Sequence, residues 1–322
     1  MKLKSFLKSI CIGYPVIAYK YCMNQKVSLS EYRTGYDRAA VTYERWLWLM
    51  GKNTDKILNE KTIPIQENAV IVDLCCGTGY VTRKVDSFFL KKNIKNYTIN
   101  SCDLSEQMLT EASVYNSPHI NYIVDDAIVF LKSLEADSVD ALYCAWAIYY
   151  CNHAALFFQL NRVMKKDGIV GFIANCKGTL EDIEKIFLET MVESPENIAK
   201  IMDIKFSIPS SVNSITKGLS QYGFEIHSSG EGEEIMKFDT PEELVTWLYE
   251  TGAIAGTKEI FKDGNKAIKT IVEKVKKYKK QGESFCINHR FIYGVYKRSV
   301  SKIKKRKVYD CKKYNCFIKN DI

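Results

Sequence analysis

The chain has 322 residues, 46% apolar and 26% charged, with a formal net charge of +8. That is globular composition, and it excludes wholesale disorder and fibrous architecture. The charge is uneven: net +5 over residues 1–60, −11 over 61–257 and +14 over 258–322, so the positive charge belongs to the ends.

Lys2, Lys4 and Lys8 precede an apolar run from Ser9 to Tyr19 that resembles a signal-peptide core. Gly13 and Pro15 interrupt it, no small-residue cleavage site follows, and a membrane span needs about 20 residues. The reading is a cytoplasmic protein whose first 20 residues dock on a membrane or on the core. The 11 cysteines, Cys11 to Cys316, form no disulfide framework and suit free thiols. Cys311-x4-Cys316 lacks a second Cys/His pair, so no metal site is expected.

Ser30–Met50 reads as helical and carries Tyr36, Tyr43, Trp46 and Trp48. From Ala69 short apolar runs alternate with helical stretches. Strands are expected at Ala69–Leu74, Tyr97–Cys102, Asn121–Val124, Val139–Ala145 and Ile169–Ala174. Helices are expected at Tyr80–Leu90, Ser105–Val114, Ala127–Leu134 and Ala154–Met164. This alternation predicts βαβ units and a parallel sheet covered on both faces. Residues 176–282 look mainly helical: Leu180–Met191, Glu196–Met202, Ser214–Gln221, Glu242–Glu250 and Glu259–Lys280. Thr240-Pro241 marks one helix start. Strand-like runs occur at Gly223–His227 and Ser284–Tyr296, and the Lys- and Asn-rich end reads as poorly ordered.

The sharpest motif is Asp73-Leu74-Cys75-Cys76-Gly77-Thr78-Gly79, where a strand ends in an acid and passes through glycines into a helix. Ligands bind at this end of an open α/β sheet. The third glycine of a dinucleotide fingerprint is missing, and no G-x-x-x-x-G-K-[ST] occurs. An acid without accompanying basic groups suits a cationic ligand lacking phosphates.

Residues 69–79 resemble motif I of the class I S-adenosylmethionine (SAM)-dependent methyltransferases, and the resemblance extends over roughly 35–175. Ser101–Leu109 is similar to the family's segment after strand 2, Asp125-Asp126-Ala127 to that after strand 3, and Asp137–Gly168 to strand 4 onward. Cys75 departs from the usual glycine; a double cysteine resembles the ubiquinone/menaquinone C-methyltransferase branch. The resemblance implies a Rossmann-like fold: a mostly parallel seven-stranded sheet with helices on both faces, N-terminal helices, and a helical insert after strand 5. It divides the chain into an N-terminal helical lid (1–60), a SAM-binding α/β core (61–175), a substrate-covering helical insert with the last strands (176–297) and a basic tail (298–322).

It implies SAM as cofactor, with Asp73, Cys75, Gly77 and Gly79 in the loop and Asp103 and Leu104 at the ribose. A carboxylate can accept from both hydroxyls of a vicinal diol. Asp126 and Ala127 would lie at the adenine, Ala145 and Trp146 at the methionine end, and Tyr36 and Tyr43 in the lid, where simple core packing is the other reading. No residue is assigned a catalytic role; Tyr149, Tyr150 and His153 are the candidates nearest the acceptor.

The motifs of base-amine and cytosine-C5 methylation are absent after strand 4, so no specific nucleic acid is expected. A small-molecule, acyl or lipid acceptor is expected instead. Residues 238–295 also resemble the C-terminal arrangement of malonyl-carrier-protein O-methyltransferases. That makes an acidic carrier protein a partner for the basic segment 258–280, whose alternative reading is a solvated amphipathic helix. A basic RNA- or membrane-binding protein with this fold is the remaining alternative, with peripheral membrane contact through the basic ends.

Overall fold

The computed structural model describes residues 9–204 and 206–299. Eight strands form one sheet: β1 Ala69–Leu74, β2 Tyr97–Asp103, β3 Ile120–Val124, β4 Val139–Ala145, β5 Met164–Asn175, β6 Phe224–Phe238, β7 Lys280–Gln281 and β8 Ser284–Arg298. Their order is β3-β2-β1-β4-β5-β8-β6, with the two-residue β7 beside β8. β1 to β5 pair in parallel, and β8 runs antiparallel to both β5 and β6. The sheet is therefore mixed at one edge. β1, β4 and β5 lie at its centre, where residues such as Ile71, Leu142 and Phe172 are covered from both faces.

The helices are α1 Tyr14–Cys22, α2 Leu29–Ala39, α3 Glu44–Thr54, α4 Tyr80–Lys91, α5 Glu106–Ser113, α6 Ala127–Ser133, α7 His153–Val163, α8 Glu181–Glu193, α9 Val212–Gln221, α10 Pro241–Glu250 and α11 Gly264–Tyr278. Local chemistry fixes several starts. Ser28 and Glu31 form a reciprocal capping box on α2. Thr240 accepts from the Glu243 amide, with Pro241 in the first turn of α10.

The segment 69–163 follows the expected strands and helices to within one or two residues. β5, expected at Ile169–Ala174, begins at Met164 and reaches β4 there through a register shift. Four further expectations elsewhere need correction. The single helix over Ser30–Met50 is two, broken at Ala40–Thr42, where Thr42 Oγ1 donates to the Glu250 carbonyl 2.6 Å away. Glu196–Met202 is a 3-10 turn followed by extended chain, because Ile198 pairs with Phe261 and Ile201 with Lys26. The last long helix begins at Gly264, capped by Asp263, rather than near Glu259.

The fourth correction is β6, a 15-residue strand where only Gly223–His227 was expected. As an edge strand it is largely exposed and polar, so apolar alternation is lost. Its glycines are steric necessities: a Cβ at Gly232 would lie 2.3 Å from the Phe291 ring, and one at Gly230 2.5 Å from the Tyr293 hydroxyl. The segment after β5 thus combines four helices with the last three strands of the sheet, and its strand content is larger than expected. The basic tail from Val300, including Cys311 and Cys316, lies outside the described residues.

Candidate active site

The turn after β1 contains three residues with left-handed backbone: Cys75 (φ +56°), Gly77 (+54°) and Gly79 (+82°). This conformation is open to glycine and costly for other residues, which explains why glycine is the usual residue at the position Cys75 occupies. At Gly79 a Cβ would approach Ala112 of α5 to 3.2 Å. The glycine therefore serves both the turn and the packing of α4 against α5.

Three acids stand at the carboxyl ends of β1 to β3, each held by nearby chain. Asp73 is buried; its Oδ2 accepts from the Thr82 amide at 2.9 Å and the Thr82 hydroxyl at 2.6 Å. Burial is the main reason its carboxyl is pushed up to about 7. Asp103 accepts from the Gly77 amide (2.8 Å) and the Ser105 amide (2.9 Å), tying the glycine turn to the end of β2. Burial raises its pKa too, against the opposing effect of those amides. Asp126 caps α6, accepting from the Ile128 and Val129 amides at 2.9 and 3.1 Å. Leu104 is about half exposed, and Ala127 is buried.

A cavity opens above the turn, lined by Tyr43, Leu47, Thr54, Asp73, the 75–78 turn, Tyr80, Val81, Ala145 and Trp146. No lysine or arginine lines it. Trp146 also has a left-handed backbone (φ +62°), and its Nε1 donates to Thr54 at 2.8 Å. Its ring meets Trp46 edge to face, 4.8 Å between centroids, and Trp46 stacks on Tyr43.

Beside this cavity lies a group of aromatic rings from distant segments. The Tyr150 hydroxyl is 2.5 Å from that of Tyr36 and 3.2 Å from that of Tyr32. Tyr149 packs on Tyr150, and Phe206 contacts Tyr32, Tyr149 and Tyr150. Burial pushes the phenols of Tyr32, Tyr36, Tyr43, Tyr149 and Tyr150 upward. They stay protonated at neutral pH and act as hydrogen-bond donors, not bases. Helices α2 and α3 are also held to the core by polar contacts: Ser105 donates to Asp37 of α2 at 2.5 Å, and Thr78 to Glu44 of α3 at 3.0 Å.

The structure thus brings Asp73, Cys75, Gly77, Tyr43, Ala145 and Trp146 to one cavity, with Asp103 bonded to its rim and Tyr36, Tyr149 and Tyr150 beside it. It does not bring His153 there. That ring stacks on Phe157, which contacts Tyr222, and burial lowers its pKa. Sequence reasoning missed Tyr32, Trp46, Asp37 and Phe206 as neighbours of the site. Tyr32 could have been found from its four-residue spacing to Tyr36. Phe206 carried no signal.

Residues 71–168 match the family model described as a methyltransferase domain. The chain is 25% identical over 221 residues to the malonyl-[acyl-carrier protein] O-methyltransferase of Marinomonas sp., covering 68% of this chain and 75% of that one. It is 30% identical over 109 residues to a probable S-adenosylmethionine-dependent methyltransferase of Saccharomyces cerevisiae, covering 32% and 34%. A solved structure of a candidate methyltransferase from Bacillus halodurans superposes with a TM-score of 0.51 at 15% identity, covering 77% of this chain and all of that one. The fold and the glycine turn thus define a nucleoside-binding α/β enzyme. More particularly, residues 71–168 carry a methyltransferase domain, and the relatives support a SAM-dependent methyltransferase with SAM as its cofactor. The reading as a basic binding protein without this activity is set aside. Among the described residues, no helix is long and apolar enough to cross a membrane.

Proposed function

We propose that this methyltransferase acts on a small-molecule, acyl or lipid acceptor by in-line displacement. The observation that carries the assignment of the cofactor site is Asp103, a carboxylate held by the Gly77 and Ser105 amides at the rim of a cavity without basic side chains. Such a site fits a cationic nucleoside and disfavours a phosphate-bearing one. When bound, the cofactor supplies an activated methyl group and its leaving group.

In this reading Asp103 holds the ribose hydroxyls, with Leu104 over the same edge. Asp126 and Ala127 flank the adenine, Asp126 through the carboxylate oxygen not engaged in capping. Gly77 and Gly79 let the backbone approach closely, Cys75 and Asp73 shape the floor, and Ala145 and Trp146 border the methyl end. Tyr36 and Tyr43 close the lid and exclude water. Tyr149 and Tyr150 orient the acceptor as neutral donors. With no base among them, the acceptor is one that needs no deprotonation, such as a carboxylate or an already acidic group.

A malonyl-carrier-protein carboxyl O-methyltransferase is the second reading, favoured by the Marinomonas relative's description. The basic helix gives it little support. In α11, Lys266 already pairs with Glu196, and Lys274 with Glu189 and Glu193; just beyond it, Lys279 pairs with Asp182. Calorimetric titration with SAM and its demethylated product tests the cofactor site, and absence of binding overturns it. A labelled-methyl screen against carrier-protein, quinone, lipid and small-carboxylate pools tests the acceptor. Label appearing only in a nucleic-acid pool overturns that part.

A further inference from the structure

Helix α1 presents an uncharged, tyrosine-rich face to solvent. None of its residues is buried. Val16, Ile17 and the only charged residue, Lys20, are the more covered positions, and Val16 and Ile17 pack against the core. The exposed positions are Tyr14, Pro15, Ala18, Tyr19, Tyr21 and Cys22, none of them charged. Tyr14, Tyr19 and Tyr21 are 52%, 58% and 48% exposed, and Ile12 and Met23 extend the patch at 48% and 55%. A surface helix ordinarily turns charged and polar side chains to solvent. Close packing fixes this orientation: a Cβ on Gly13 would lie 2.6 Å from the Val192 carbonyl oxygen.

The chain that carries this face is basic in sequence. Residues 1–30 contain Lys2, Lys4, Lys8, Lys20 and Lys26 and no acid. Lys26 is paired with Asp203 at 2.6 Å, and its ammonium sits 3.9 Å from the centre of the Tyr21 ring. Tyrosines with an apolar body and a polar tip are enriched at membrane–water interfaces. A nine-residue helix is far too short to cross a bilayer but long enough to lie in its surface.

We propose that α1, with the lysines preceding it, is a peripheral docking site for an anionic lipid surface. The tyrosines insert at headgroup depth and the lysines supply electrostatic attraction. Residues 23–28 join α1 directly to α2, which carries Tyr32 and Tyr36. Docking therefore holds the lid side of the active site against the lipid.

The test is co-sedimentation of the full chain with vesicles of phosphatidylcholine containing phosphatidylserine, and with phosphatidylcholine vesicles alone. Sedimentation is expected with the serine lipid and is expected to fall as salt rises. Tyr14→Ser/Tyr19→Ser/Tyr21→Ser should lower the partition coefficient about tenfold or more. Lys2→Gln/Lys4→Gln/Lys8→Gln should lower it similarly, without changing the thermal midpoint. No sedimentation with anionic vesicles overturns the proposal. So does unchanged sedimentation of the tyrosine variant, which moves lipid binding elsewhere in the chain. A concentration-dependent dimer in ultracentrifugation, lost in the tyrosine variant, overturns it in favour of a second copy of the chain.

Discussion

The cofactor side and the cover over it are built on different principles. On the cofactor side each key acid is held within a short span or by the neighbouring strand's turn. Asp73 accepts from Thr82, Asp126 from its own helix, and Asp103 from Ser105 and Gly77. In the cover, contacts join residues far apart in sequence. Tyr150 meets Tyr32 and Tyr36 of α2, Thr42 meets Glu250, Glu31 pairs with Lys200 and Arg45 with Glu250. The first arrangement is set by backbone geometry and tolerates little change. The second rests on side chains whose pairs are individually weaker and can be exchanged without losing the fold.

The largest effect expected from this contrast is at Asp103. If Asp103 holds the ribose as proposed, replacing it by Ala should cost about 3 kcal/mol, roughly a hundredfold in cofactor affinity by titration calorimetry. Unchanged affinity would place the ribose elsewhere and break the comparison at its strongest point.

His289 comes next; it lies on β8 and packs against Trp46 of the cover. It is buried against Trp46 and Trp247, its Nδ1 is 3.4 Å from Asn175 Oδ1, and burial pushes its pKa down to about 4. Because the folded state binds this proton less readily than the unfolded one, its contribution is fully present above about pH 6.5. It is lost as the pH falls toward 4. The stability difference between wild type and His289→Leu should therefore shrink by up to roughly 3 kcal/mol over that interval in denaturant titrations. A pH-independent difference would show that the ring is hydrated.

Gly79→Ala imposes a side chain on a left-handed residue facing Ala112 and should destabilise by about 2 kcal/mol. Its thermal midpoint should fall further than that of any single cover-side hydroxyl variant. Tyr150→Phe is the smallest. Losing the hydroxyl contacts to Tyr32 and Tyr36 should cost about 1 kcal/mol, leave cofactor affinity unchanged, and raise the KM for the acceptor. A loss of cofactor affinity in this variant would join the two regions into one functional unit.

The sequence was most informative where structure is local. β1 and β4 coincide with the runs expected for them because their continuous apolar character reflects burial on both faces. The glycine turn was visible because left-handed backbone selects few residue types. β6 was underread because an edge strand's polar residues face solvent, and nothing in their order reveals the partner strand that orders them.

By itself the sequence determined the alternating βαβ core, the turn of Asp73–Gly79 and the acid after β2, since each follows from periodicity or backbone preference. Only the tertiary structure decided that Tyr32, Tyr36, Tyr150 and Phe206 form one aromatic group, and that Lys274 of α11 is matched to Glu189 and Glu193 of α8. It also decided that the tyrosines of α1 face outward. The physical reason is common to all three. Side-chain partners separated by a hundred residues are chosen by how helices and sheet pack, and no local pattern carries that information.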